Sequence, residues 1–185
     1  MGLLSEKDRY GAVAVTIHWI TALAILLLLA SGLVAANMAG DVPVNLIRIH
    51  VALGVSVFVL TLLRIVWWFV FDTRPAEIGG MPHWQALAAR AVHVLLYLVV
   101  LAMGVSGIGL IVLSNALPAL ASGAPLPDFS IFAPFVVHGL VARLLIGFLG
   151  LHIAAALFHH FVRRDGLLAR MGLGRRRASA TRAAM

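Results

Sequence analysis

The sequence predicts an all-α integral membrane protein built as a bundle of four long helices, and three observations carry that prediction. Of its 185 residues, 62% are hydrophobic and 11% are charged, a balance that does not suit the water-facing surface of a soluble domain. Four apolar stretches, at about 12–36, 46–71, 86–113 and 131–162, reach or exceed the ~20 residues that a helix needs to cross the hydrocarbon core. None shows the regular alternation of a transmembrane barrel strand, so helices, which satisfy their own backbone in lipid, are expected.

The first stretch follows Lys7 and Arg9. Small residues from Ala35 to Ala39 resemble a cleavage region, but an apolar run of ~25 residues is too long for the core of an ordinary signal peptide, so the segment is expected to remain as a span. The link to the second stretch carries Arg48 against Asp41. Arg64, Arg74 and Arg90 surround the second link, whose turn residues include Gly79, Gly80 and Pro82. The third link is long, holds Pro118, Pro125, Pro127 and Asp128, and has no Lys or Arg; part of it is free to lie on the membrane surface. Beyond the fourth stretch come Arg163, Arg164, Arg170, Arg175, Arg176, Arg177 and Arg182.

This distribution of Lys and Arg places both termini and the second link in the cytoplasm, and the first and third links outside. The expected organisation is a cytoplasmic segment 1–11, a four-span unit 12–162 and a basic cytoplasmic tail 163–185. The net charge of +7 sits largely in that tail, where it is a topogenic signal beside lipid headgroups; no nucleic acid is expected as a partner. Cysteine is absent, which excludes disulfides, iron–sulfur clusters, thiolate haem ligation and covalent haem attachment.

Histidines inside lipid are costly and are functional candidates by default. His18 falls near the inner end of the first span, His50 near the outer end of the second, and His138 and His152 both on the fourth. The last two are 14 residues apart, which leaves them about 40° apart on one face and roughly 21 Å apart along the axis. Because the fourth span runs inward, His138 is level with His50 and His152 with His18.

Two imidazoles facing each other across a bundle interior can ligate a haem iron from both sides, an arrangement suited to electron transfer. Gly32 and Gly54, near the same levels, leave room for a flat macrocycle. Arg64, 14 residues after His50, is a candidate propionate partner at the inner level, or else an arginine that snorkels to the surface. Arg48 is either a propionate contact at the outer level or a solvated loop charge. Arg143, five residues after His138, is a charge on the fourth span with no assigned role beyond a conceivable outer-haem contact. Interhelical hydrogen bonds or a proton relay would explain any one histidine; four at two matched depths favour haem, and zinc is disfavoured because no carboxylate or thiolate shares those levels.

The ordered set Ile17-His18-Trp19, Ile49-His50-Val51, Arg64, His138, Leu151-His152 and His159-His160 resembles the bacterial cytochrome b561 family, in particular its superoxide oxidase members, from about Tyr10 to Met171. The resemblance implies two haem b groups, one on His18 and His152 and the other on His50 and His138, the same pairs that depth selects. It also implies residence in the bacterial inner membrane and electron exchange with quinone, with superoxide oxidised to oxygen outside as ubiquinone is reduced. It implies a quinone site at Trp19 and His159, where an indole N–H and an imidazole could serve a quinone carbonyl; read by themselves, the two are an aromatic-belt anchor and an interfacial polar residue. His93, within Val92-His93-Val94-Leu95-Leu96-Tyr97, is expected to touch a propionate or to pack helices. His83 is expected in a loop and His160 at headgroup level.

The outer links offer no evident positive surface to steer superoxide. The expected partners are membrane lipid, quinone, and superoxide or another outer-face donor. An alternative is a haem-containing membrane-anchor subunit that exchanges electrons with a larger dehydrogenase or reductase. The non-redox alternative is a small proton or ion transporter working through histidine relays.

Overall fold

The computed structural model describes residues 2–39, 41–76 and 81–173. Gly79 and Gly80 of the expected turn, and Arg175, Arg176, Arg177 and Arg182 of the tail, lie outside the described residues. The chain forms α1 (Ala12–Asn37), α2 (Val44–Val70), α3 (His83–Leu113), a short α4 (Leu117–Ser122), a 3₁₀ turn at Phe129–Ile131, α5 (Ala133–Phe158), a π turn at His159–Arg163 and a last short helix α6 (Leu167–Arg170).

The four long helices match the four apolar stretches to within a few residues, and the shifts have local causes. Prolines set two of the starts. Pro43 and Pro82 lack a donor that a helix N-terminus would not use, and their carbonyls accept from Leu46 N and Ile47 N and from Gln85 N and Ala86 N, so α2 and α3 begin earlier than the apolar pattern indicates. His83 therefore opens α3, which corrects its expected place in a loop. The third link is also more ordered than expected. Leu120 and Ala116 are buried against Ile111, packed by Val44, Ile47 and Val51 of α2, and Gly123 ends α4 in the left-handed conformation that glycine adopts without strain. The link folds over one end of the bundle.

Helix α1 packs on α2, α2 on α3, and α3 on α5. The central cluster is formed by Ala24, Val57, Val99, Val100 and Leu145. Only 6–11% of each apolar span is buried within the protein, and side chains such as Leu23, Val105 and Val136 are more than 60% exposed. Helices of this length and composition, with apolar outer faces, are those of a membrane bundle.

Both ends of the described chain meet at the end of the bundle opposite α4. Gly11 sits so close to the backbone of Leu3 and Leu4 that no larger residue fits. Asp72, 8% exposed, accepts from Ser5 N at 2.9 Å, Ser5 Oγ at 2.8 Å, Trp67 Nε1 at 3.2 Å and Thr73 N at 2.9 Å. Burial pushes this carboxyl up, but the four donors outweigh it and hold the group below the usual carboxylate range. Tyr10 N donates to Arg170 O, Trp19 Nε1 to Met171 O, and Arg170 Nη1 to Ala76 O, so the N-terminal segment, the α2–α3 link and α6 are laced together.

Candidate functional site

Two histidine pairs face each other across the interior at two levels. At the level nearer α4, the His50 ring on α2 and the His138 ring on α5 have centroids 6.3 Å apart at 66°. At the level nearer the termini, the rings of His18 on α1 and His152 on α5 are 6.4 Å apart at 68°. The structure thus brings together the residues that helical spacing and span direction paired.

The far pair is seated in a way that the sequence did not reveal. Ser31 Oγ lies 2.8 Å from His50 Nδ1, and Ser106 Oγ lies 3.0 Å from His138 Nδ1. Each hydroxyl also lies within reach of a carbonyl of its own helix, Ser31 of Leu28 O and Ser106 of Met103 O, and with its one proton given to that carbonyl the imidazole is the donor in each pair. Both rings then carry their proton on Nδ1 and keep a lone pair on Nε2, the tautomer a metal ligand requires. The residue after each serine is a glycine against the same ring: a Cβ on Gly32 would stand 3.4 Å from His50 Cε1, and one on Gly107 would stand 3.2 Å from His138 Cε1. Repeated Ser-Gly pairs on α1 and α3 are the signal that sequence reading could have used.

Gly32 therefore admits the His50 ring against α1. Gly54 meets Leu28 and serves α1–α2 packing.

The near level is an open cleft whose polar lining is His18, Thr21, Thr61, Arg64, His93, Tyr97 and His152. Arg64 Nη1 lies 3.1 Å from His18 Nδ1 and the guanidinium sits 5.8 Å from the centre of the Tyr97 ring, so Arg64 points into the bundle and does not snorkel out of it. His93 donates from Nδ1 to Ala89 O at 2.6 Å, and its ring is 5.1 Å from that of His152. Arg64 Nε and Thr21 Oγ1 are buried without a hydrogen-bond partner.

Whether these residues fit haem can be tested on the two levels separately. At the far level the fit is direct, because two opposed imidazoles present Nε2 and two glycines admit the rings. At the near level an arginine can only donate, so His18 Nδ1 accepts and its proton sits on Nε2. Carboxylate acceptors in the cleft, as propionates are, would satisfy the orphaned Nε, draw Arg64 away and let His18 adopt the ligating tautomer. The unpartnered guanidinium nitrogen fits that exchange, since a buried donor without an acceptor is costly.

The remaining residues fall outside the two pairs. Arg48 donates from Nε to Leu120 O at 2.8 Å and from Nη1 to Asn45 Oδ1 at 3.0 Å; it lies within α2, ties α4 to it and is not a free loop charge. Trp19 packs edge-on against His18 with centroids 5.2 Å apart, and its N–H is given to Met171 O. His159 is hydrogen-bonded through Nδ1 to Asp165, and the His160 ring lies edge-on to Phe161. Arg143 is exposed on α5 and donates to Gly139 O at 3.3 Å. Five residues from His138, it lies about 140° around the helix, away from the interior.

Because the serine contacts orient the far imidazoles, Ser106→Ala should weaken retention of a haem held between them by roughly 10- to 100-fold. Haem transfer to an excess of a high-affinity scavenger protein, timed by absorbance, measures this. A transfer rate equal to that of the unaltered protein would show that the serine only fills space.

A family model described as "Prokaryotic cytochrome b561" matches residues 9–174. "Cytochrome b561 homolog 2" of Escherichia coli (strain K12) is 28% identical over 184 residues, covering 92% of this chain and 95% of that protein. "Cytochrome b561 homolog 1" of the same organism is 30% identical over 175 residues, covering 89% and 97%. "Probable superoxide oxidase CybB" of Yersinia pestis is 27% identical over 173 residues, covering 88% and 95%.

Proposed function

Since the chain belongs to the prokaryotic cytochrome b561 family, whose members are haem b electron-transfer proteins of the membrane, we propose that it is a di-haem cytochrome that oxidises superoxide to oxygen and reduces ubiquinone. The observation that carries this reading is the pair of opposed histidine couples, with centroid separations of 6.4 and 6.3 Å, at two depths of one bundle. A single redox centre would need only one. Similarity to a probable superoxide oxidase supports the choice of donor.

In this reading the unit 12–162 spans the inner membrane, segments 1–11 and 163–185 face the cytoplasm, and the α4 end faces outward. His50 and His138 hold the outer haem, and His18 and His152 the inner one. Bound haem b supplies one-electron carriage between the levels. Arg64 and His93 meet the inner propionates, Ser31 and Ser106 orient the outer ligands, and His159 with Trp19 borders the quinone site. Two superoxide anions yield two molecules of oxygen and two electrons, which with two protons convert one quinone to quinol.

Stopped-flow mixing of the purified protein with superoxide should show fast appearance of the reduced b-type bands, and a short-chain ubiquinone should then discharge them. Reduction no faster than that of an unrelated b-type cytochrome would remove superoxide from the reaction.

One observation favours the anchor-subunit reading. Arg143 presents a charge on the lipid-facing side of α5, and Gly147 and Gly150 on the same helix have open space where a Cβ would be. A charge so placed is costly unless another membrane partner meets it. Stoichiometric copurification with a larger redox enzyme would select that reading.

A further inference from the structure

We infer that Asp165 is a positioning residue that orients His159 for proton delivery to a quinone carbonyl. The inference rests on the quinone reading above and adds to it the residue that aims the proton carrier.

His159 stands seven residues after His152, on nearly the same helical face and roughly 10 Å further along. It is thus the first titratable group beyond the near histidine pair, opening the π turn that follows α5. The backbone there departs from regular helix twice. Residues His159–Arg163 form a π turn, and Arg164 then takes the left-handed conformation with φ 51° and ψ 37°, unusual for a residue with a side chain. Single π turns inside long helices occur often at functional positions. Their combined effect is to turn the chain back so that Asp165 Oδ2 meets His159 Nδ1, while Asp165 Oδ1 accepts from Leu167 N at 3.1 Å. Side-chain exposure of the two is 13% and 17%, so both are largely shielded. Trp19, the other expected quinone contact, gives its N–H to Met171 O in the same folded-back segment, which leaves His159 as the proton-exchanging group.

The carboxylate accepts from Nδ1–H, so every proton exchanged by this ring must pass through Nε2. While the ring carries two protons, its positive charge faces Asp165. As the quinone gains its two electrons, delivered one at a time, a proton leaves Nε2 for a carbonyl oxygen, Nδ1–H stays on Asp165, and cytoplasmic water reloads Nε2. The second proton of the quinol comes from the same water. This is the division of labour of a carboxylate–histidine couple, in which the carboxylate holds the tautomer and the imidazole moves the proton.

Asp165→Asn separates this role from a structural one. Asparagine keeps Oδ1 for Leu167 N but replaces Oδ2 by an NH₂ group that cannot accept from Nδ1–H. In the haem-loaded, full-length protein, this variant should retain both haems and be reduced by dithionite at the normal rate. Its maximal rate with a short-chain ubiquinone should fall about 10- to 100-fold, with KM changed far less, and Asp165→Glu should recover most of the loss. A second readout does not depend on turnover. In dithionite-reduced protein with ¹⁵N-labelled histidine, the Nδ1–H signal that His159→Gln abolishes should give way in Asp165→Asn to an Nε2–H or mixed form. Unchanged quinone reduction in Asp165→Asn, or an unaltered His159 signal, would overturn the inference, as would equal loss of haem and quinone reduction, which marks a structural role. If the unaltered protein reduces no quinone, the underlying reading falls instead and takes this one with it.

Discussion

Replacing His138 by alanine is expected to lower bound haem from two groups per chain to one and to leave the near level intact. The side chain sits 6.3 Å, ring to ring, from His50, with its Nδ1 proton held by Ser106. In the di-haem reading proposed above, alanine removes one axial ligand and leaves a serine acceptor facing nothing. The near pair lies roughly 21 Å away along α5, with its own lining of Arg64, His93 and Tyr97, and shares no contact with Ser106. A pyridine haemochrome assay against protein mass gives the stoichiometry, and helical content by circular dichroism verifies that the bundle persists. The b-type band that remains should belong to the near level. Retention of the His50 level with loss of the other would reverse the assignment of pairs.

His152→Ala is expected to abolish quinone reduction while sparing reduction of the far haem by superoxide. His152 is the hub of the near cleft, facing His18 across 6.4 Å and His93 across 5.1 Å. Its loss removes the site between the far pair and the end of α5 at which His159 stands. Stopped-flow traces should keep the fast superoxide-driven absorbance rise, at about half the haem amplitude, and lose its discharge by ubiquinone. The proximity of His93 makes the experiment informative in a second way. Its Nδ1 is already donated to Ala89 O, so its Nε2 has the lone pair of a ligand. Restoration of a near-level haem in His152→Ala would identify His93 as an alternative ligand. Its additional replacement by alanine should then remove that haem.

Much of this architecture was legible because it is encoded locally. Apolar length marks a span whatever its neighbours are, and 14-residue spacing brings His138 and His152 to one face by helix geometry alone. Once four spans are threaded in alternating directions, depth pairs His50 with His138 and His18 with His152. The weaker expectations concerned residues whose roles depend on what lies opposite. Arg64 could point outward or inward, and only the packed cleft with Tyr97 and His18 turns it inward. Arg48 has the same chemistry, but α4 folds over α2 and its carbonyl at Leu120 captures the guanidinium. His83 was misplaced because Pro82 starts a helix ahead of the apolar pattern.

By itself, then, the sequence determined that this chain is a four-span membrane bundle with two levels of facing histidines, since hydropathy and helical periodicity are properties of contiguous residues. Only the tertiary structure decided which protons those histidines carry and which groups hold them. The contacts from Ser106 to His138 and from Ser31 to His50 span 32 and 19 residues and join different helices, so no periodicity announces them. Asp165 reaches His159 only because a π turn and a left-handed arginine fold the chain back. Hydrogen bonds act over about 3 Å, and tautomers therefore follow from packing between elements rather than from order along the chain.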